Sequence, residues 1–479
     1  MSNKSPNGLT IRSSLSRIIS LTSTFTFVFF AFTSAEARFL DPDLKTWMSE
    51  KESAQQLLPS IKEVIVYLKP DASFQAQGIT ADRSMQRMAL TMQAEEITQS
   101  LSSYSKEYET LWSSNAVIMK IDRASLKKLV KNGLVDGVVL NKTIMLDEPK
   151  ASESKRKVNA DQSQFTYGLQ LIHAPEAWEK GSRGEEVVVG IIDTGIDADH
   201  PDLKGKVVMV KDFTKDNDGK DYHGHGTHVA GTIVGGNASG TQIGVAPSAK
   251  VIMAKVFDSE GRAELAGLLK AMEFMVDPDG DPLTKDAPRV VSNSWGSSSQ
   301  FVYAFKNVIQ VWRDHQIFPS FAAGNSGSSY LTINAPGSYP HSYAVGAVDE
   351  NGELTSFSSR GPVIWLVKKL PRFITKPNIS APGYNVKSSV PGGAWAEYSG
   401  TSMATPHLSG VVALALAAAP ELTIEKLTEI LNSSVLDKGP EGMDNRYGYG
   451  IVQADQVVAK AKSWRLSLAL SSQGKAHNR

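Results

Sequence analysis

The chain has 479 residues, 41% of them hydrophobic, enough for two or more domains and a sizeable core. Lys+Arg and Asp+Glu balance at 50 each, so composition gives no case for a nucleic-acid partner. There is no cysteine, which excludes disulfides, zinc–thiolate sites and a cysteine nucleophile.

Lys4, Arg12 and Arg17 precede an apolar run from Ile18 to Phe32, and Ala35-Glu36-Ala37 follows. A basic head, a short apolar core and small residues at a cut site predict a secretory signal over 1–37, cleaved after Ala37. The run is short for a membrane span. The expected location is therefore secreted, or in the cell envelope or periplasm, with no membrane attachment after signal removal.

Residues 38–60 are polar and weakly patterned. Strands are predicted over 63–68, 115–121, 135–140 and 143–146, with helices over 80–103 and 124–130. This order suggests a small α+β unit of split-βαβ type. A charged, polar stretch from Asp147 to Gln164 reads as an exposed linker, where nicking concentrates. From Tyr167 onward, apolar strands (187–192, 207–210, 251–256, 290–293, 318–322 and 343–348) alternate with helices (227–234, 263–274, 301–315 and 401–419). That alternation predicts an α/β fold with a mostly parallel sheet between helices.

Four stretches carry chemistry. Asp193 ends the buried-strand pattern Val188–Ile192, and functional groups gather outside the carboxyl ends of parallel strands. It would equally serve as a loop cap. His225 lies between two glycines in His223-Gly224-His225-Gly226-Thr227-His228. His225 and His228 are spaced for a helical metal pair, but Gly226 weakens that frame, and a lone base at a helix start is the competing reading. Asn325 follows a strand in Ala323-Gly324-Asn325-Ser326-Gly327, as either a turn residue or an oxyanion donor. Ser402 sits in Gly400-Thr401-Ser402-Met403-Ala404-Thr405-Pro406-His407, where a turn-prone run feeds an apolar helix. A serine there is either a helix cap or a nucleophile with an anion-stabilising site beside it. Pro406 is expected near the start of that helix. Together the residues suit one mechanism. Ser402 attacks, His225 takes the proton, Asp193 orients His225, and the Ser402 N–H and Asn325 amide hold the oxyanion. The order Asp, His, Ser is that of subtilisin.

In these motifs the chain resembles the subtilisin-type (subtilase) serine endopeptidases, from about Tyr167 to Ala461. His200-Pro201-Asp202-Leu203, Gly244-Val245-Ala246-Pro247 and Phe357-Ser358-Ser359-Arg360-Gly361 add to the match. The resemblance implies peptide-bond hydrolysis with catalytic Asp193, His225, Ser402 and Asn325. It implies substrate contacts from the edge segment Ser294-Trp295-Gly296 and from Asn334, which stands at the base of the specificity pocket where many relatives have Gly. It also implies an inhibitory, chaperone-like propeptide. The expected division is signal 1–37, propeptide 38–155, catalytic domain 156–462 and tail 463–479. The expected partners are protein or peptide substrates and the chain's own propeptide.

No cofactor or metal is expected in the chemistry. For structural calcium, Asp202 matches the family's site, but Ala238 stands where an Asn side chain usually is, with Asn237 one place away. Asp216-Asn217-Asp218 and Asp277-Pro278-Asp279-Gly280-Asp281 are further oxygen-rich loops. Val363 to Phe373 reads as an insertion. The rival reading from another class is a non-catalytic secreted binding protein on the same fold.

Overall fold

The computed structural model describes residues 39–50, 60–69, 91–92, 95–96, 98–147, 150–151, 163–281, 283–297, 303–367 and 370–476. The segment expected to be a signal lies outside them. So does much of the expected 80–103 helix, whose described residues from 91 to 101 are helical.

The N-terminal domain is built on a five-stranded sheet in the order β1-β5-β2-β4-β3. Its strands are β1 (Phe39–Leu40), β2 (Ile61–Leu68), β3 (Tyr108–Leu111), β4 (Ala116–Asp122) and β5 (Val135–Leu140). The stretch expected to be unpatterned holds β1 and a helix, Pro42–Ser49. Asp41 caps that helix, with Oδ1 accepting from Asp43 N, and Pro42 supplies its first turn. Leu44 and Trp47 are its only buried residues. One turn of apolar spacing was too little to stand out in the sequence.

One face of this sheet carries its own core of Leu44, Val64, Val66, Val117, Met119 and Leu126. The other face packs on the second domain. Ile65, Trp112, Ile118 and Val139 join one apolar cluster with Leu268, Leu269, Phe305 and Ile309. The period of two along β2 and β4 thus feeds two different cores. Polar ties fix the docking. Tyr67 OH donates to Ala304 O at 3.0 Å, Ser113 N to the Glu273 carboxylate at 2.8 Å, and Asn307 Nδ2 to Ser114 O at 2.8 Å.

Three short strands follow: β6 (Thr143–Met145), β7 (Lys150–Ala151) and then, within the larger domain, β8 (Val188–Asp193). The larger domain adds β9 (Val207–Asp212), β10 (Lys250–Lys255), β11 (Arg262–Glu264), β12 (Val290–Asn293), β13 (Phe318–Ala322) and β14 (Tyr343–Val348). After them come β15 (Val363–Val367), β16 (Leu370–Ile374), β17 (Ile379–Pro382), β18 (Val386–Val390), β19 (Ala394–Ser399), β20 (Val435–Leu436) and β21 (Ile451–Val452). Nine strands form the main sheet in the order β20-β21-β17-β14-β13-β12-β8-β10-β9. Every recorded pair is parallel except β20–β21. Strand order reverses about β8, so the ends of β8 and β12 open at a switch point, where α/β sheets place their ligands.

The insertion at 363–373 is an antiparallel hairpin of β15 and β16. Trp365 anchors it, with its ring 5.2 Å from Tyr303 and 5.3 Å from Tyr339. The tail expected from 463 is the end of a long helix, Ala454–Ala476. The Thr401–Ala418 helix is apolar enough to cross a membrane by length and composition, but it is buried almost throughout in the core.

Candidate active site

Two buried helices that touch each other carry the candidate residues. The His225–Val234 helix is buried at every residue and packs beside the Thr401–Ala418 helix. His225 is its first residue. Asp193 ends β8 in the same buried layer, and its Oδ1 lies 2.7 Å from His225 Nδ1, both side chains being fully buried. Asp193 Oδ1 also accepts from Thr194 N. A carboxylate so held fixes which imidazole nitrogen carries the proton.

The loop leading into this helix is organised by Asp221, which the sequence reading did not single out. Its Oδ1 accepts from Thr194 Oγ1, His223 N and Gly224 N. Its Oδ2 accepts from Thr227 N and Thr227 Oγ1 at 2.8 and 2.7 Å. Its spacing alone does not mark it, since the residue directly before the helix is Gly224. Gly224, at φ +99°, makes the left-handed turn that lets the loop fold back. Gly226 approaches so closely that a Cβ there would meet Gly195 O at 2.2 Å.

The metal-pair reading of His225 and His228 fails on orientation. His228 Nε2 faces Val386 O at 2.9 Å, and the ring stacks on Tyr398 with centroids 4.5 Å apart. Burial lowers its pKa to about 3, so it stays neutral. His407 is likewise buried, with Nδ1 on Met403 O and a pKa lowered to about 4 by burial.

Ser402 is the second residue of its helix and is 3% exposed. Its Oγ donates to Ser294 O at 2.9 Å, and Ser294 Oγ donates back to Ser402 O at 2.8 Å. The second bond explains Pro406, which lies inside the helix rather than in its first turn. A proline there has no N–H for the carbonyl four residues earlier, which is Ser402 O. Ser294 supplies the missing donor. No side chain caps this helix at Gly400. Instead Asn325 Oδ1 accepts from Thr401 N and Thr401 Oγ1 at 2.9 and 3.0 Å. That fixes the Asn325 amide with its oxygen turned to the helix and its NH2 group turned away from those donors.

Of the expected substrate residues, Ser294 touches Ser402 directly. Trp295 does not line the site with its ring. It is 2% exposed and packs edge-on against Phe305 and Phe321. Gly296 faces Asn334, where a Cβ would meet Asn334 Cβ at 3.2 Å.

An extended segment of the chain itself occupies the groove beside these residues. β6 pairs antiparallel with β11, and Leu146 N donates to Gly261 O at 2.8 Å. β7 pairs with β19, Lys150 standing opposite Ser399. Between the two pairings, Asp147 lies against Asn325 and Asn334: the Asn325 backbone N–H donates to its carboxylate, and Asn334 Nδ2 lies 3.5 Å from Oδ2. Burial raises the Asp147 pKa from its ordinary value, and the Asn325 bond partly offsets this. The Asp147–Gln164 stretch, expected as a plain linker, therefore begins inside the site. β11 as the pairing edge was also missed, because three residues give no measurable alternation.

Asp202 does not suit a cation. Its Oδ1 accepts from Ala238 N and its Oδ2 from the Trp395 indole N–H at 2.7 Å, so donors stand where an ion would sit. Elsewhere, ligand oxygens of Asp277, Asp279 and Asp286 come within 4.8 Å of one another.

This arrangement defines a serine endopeptidase of subtilisin type. Residues 184–450 match the model of the Subtilase family, and the chain belongs to that family. Bacillopeptidase F of Bacillus subtilis (strain 168) is 33% identical over 427 residues, covering 82% of this chain and 29% of that protein. Subtilisin E of the same organism is 35% identical over 296 residues, 61% of this chain and 71% of its own length. The Major intracellular serine protease of that organism is 34% identical over 281 residues, 56% of this chain and 80% of its own.

Proposed function

We propose that the chain is a secreted precursor whose Ser402, His225 and Asp193 hydrolyse peptide bonds through an acyl-enzyme, and whose N-terminal domain is an inhibitory propeptide. The observation that carries the mechanism is the fully buried 2.7 Å contact between His225 Nδ1 and Asp193, on a helix packed against the Ser402 helix. Asp193 holds the proton on Nδ1, which leaves Nε2 as the base. The single Ser402 hydroxyl proton is given to Ser294 O in the resting arrangement. The hydroxyl turns from Ser294 to His225 before attack.

Ser402 Oγ then bonds to the substrate carbonyl carbon while His225 takes the proton. The Ser402 N–H and Asn325 Nδ2 stabilise the oxyanion. Collapse releases the amine, which leaves with the proton from His225. Water, deprotonated by His225, cleaves the acyl ester and regenerates Ser402. Residues 143–147 in the groove support the propeptide reading, because a bound strand there blocks a substrate strand. Any structural calcium belongs to the Asp277, Asp279 and Asp286 loop rather than to Asp202.

The test is a fluorophosphonate probe on the processed protein. Labelling of Ser402 is expected. Active peptide hydrolysis with Ser402 unlabelled would remove the assignment. If processing is autocatalytic, pure Ser402→Ala precursor stays uncut, and normal processing of that variant would sink self-cleavage.

A further inference from the structure

We propose that Asn334 makes this a protease selective for aspartate before the cut bond, and that its own first cut falls between Asp147 and Glu148. The inference rests on the peptidase reading above.

The position of the cut follows from the two pairings. The segment enters along β11, with Leu146 bonded to Gly261, and leaves along β19, with Lys150 opposite Ser399. Ser399 is three residues before Ser402. The bond presented to Ser402 therefore lies between 147 and 150. The Asp147 carboxylate accepts from the backbone N–H of Asn325, the residue whose side-chain amide is the proposed oxyanion donor, which assigns Asp147 to the position just before the cut bond.

The selectivity follows from how the pocket is closed. Asn334 is 2% exposed, and its backbone is held by N–H donation to Ala323 O at 2.9 Å. Its side chain fills the space left by two glycines. A Cβ on Gly324 would meet Asn334 Cγ at 2.6 Å, and one on Gly296 would meet Asn334 Cβ. Ser326 Oγ donates to Asn334 Oδ1 at 3.3 Å, which turns the NH2 group towards Asp147. The pocket is thus short, and its end and rim present two N–H donors to a carboxylate. A large apolar side chain would collide with Asn334 and bury those donors unpaired. Glutamate is one methylene too long for the same contacts.

The experiment uses the processed enzyme and a panel of chromogenic peptides with the sequence Ile-Met-Leu-X, where X is Asp, Asn, Glu, Leu or Phe. The Asp substrate should have the highest kcat/KM, exceeding Glu and Phe by about tenfold or more. Asn334→Asp, which keeps size but sets carboxylate against carboxylate, should drop Asp below Asn. Asn334→Gly should raise Phe by about tenfold, as a methylene-scale opening of a pocket does. In parallel, mass spectrometry of precursor already freed of its signal should find Glu148 as the first new N-terminus, delayed in Asp147→Phe.

Faster turnover of Phe or Leu than Asp by the wild type, or a first cut elsewhere, overturns the proposal and leaves the peptidase intact. Hydrolysis of no panel member, with Ser402 unlabelled by the fluorophosphonate, removes both readings.

Discussion

The two helix starts at the site are finished in opposite ways. The His225 helix begins under Asp221, whose carboxylate accepts from Thr194, His223, Gly224 and Thr227. The Ser402 helix begins at an uncapped glycine, and a neutral amide oxygen of Asn325 takes only the Thr401 donors. A carboxylate satisfies the positive end of a helix dipole permanently. In the proposed mechanism, leaving the other end without one reserves it for negative charge that exists only during reaction. On that mechanism the start that holds the base is saturated, and the start that would receive charge is kept open.

The sharpest break of this contrast is Ser402→Ala, which should lower kcat about 10⁶-fold, measured on the variant after cutting in trans by wild-type enzyme and purification away from it. Asn325→Leu should cost roughly 10²–10³ in kcat with little change in KM, since the amide meets charge only in the transition state. Comparable loss in KM would mean that Asn325 binds substrate instead. Asp221→Ala should cost about 10²-fold by loosening His225, as displacements near 1 Å do. It should also lower thermal stability, because buried N–H groups lose their acceptor. An unchanged melting temperature would show that water replaces the carboxylate.

Acid should act on both helices at once. His228 and His407 are buried neutral, with pKa values lowered to about 3 and 4. The unfolded chain takes up these protons near pH 6.5, whereas the folded chain does not. Their contribution to stability is therefore complete above pH 6.5 and is lost as pH falls towards 4 and then 3. Denaturant titrations between pH 7 and 4 should show the slope, and His228→Gln should reduce it. The smallest effect is Ser294→Ala, about 1 kcal/mol of stability, because one neutral hydrogen bond to Ser402 O is removed. Its activity should stay within about tenfold of wild type on the same hydrogen-bond scale.

The parts legible in the sequence are those where one short run holds both the candidate side chain and its scaffold. His225 with its glycines, Ser402 with its apolar helix and Asp193 at the end of a buried strand are of this kind. The parallel strands were legible because burial on both faces writes continuous apolar runs. Asp221 was not, because its five donors come from Thr194 and from its own loop only after folding. Pro406 was misplaced for the same reason: the donor replacing its N–H is Ser294, 108 residues away. Trp295 was read as part of a substrate-pairing segment, and its ring packs in the core on Phe305 and Phe321, which is compatible with that backbone role. Asn334 was visible as a departure, but its meaning came from Asp147, which lies 187 residues earlier.

Only Asn141 and Lys142 separate β5 from β6, and both are held in place. Asn141 Oδ1 accepts from Ala266 N, and Lys142 O accepts from Leu265 N. The groove-bound strand is therefore on a very short leash to a domain that is separately docked through Tyr67, Ser113 and Ser114. A tether of this length sets a local concentration on the order of millimolar or above. If the N-terminal domain is the proposed inhibitor, severing the chain after Asp147 removes neither anchor, so the severed end stays seated and a cut molecule remains silent. Cutting and awakening become two events on separate clocks. The second starts only when the docked domain itself comes apart.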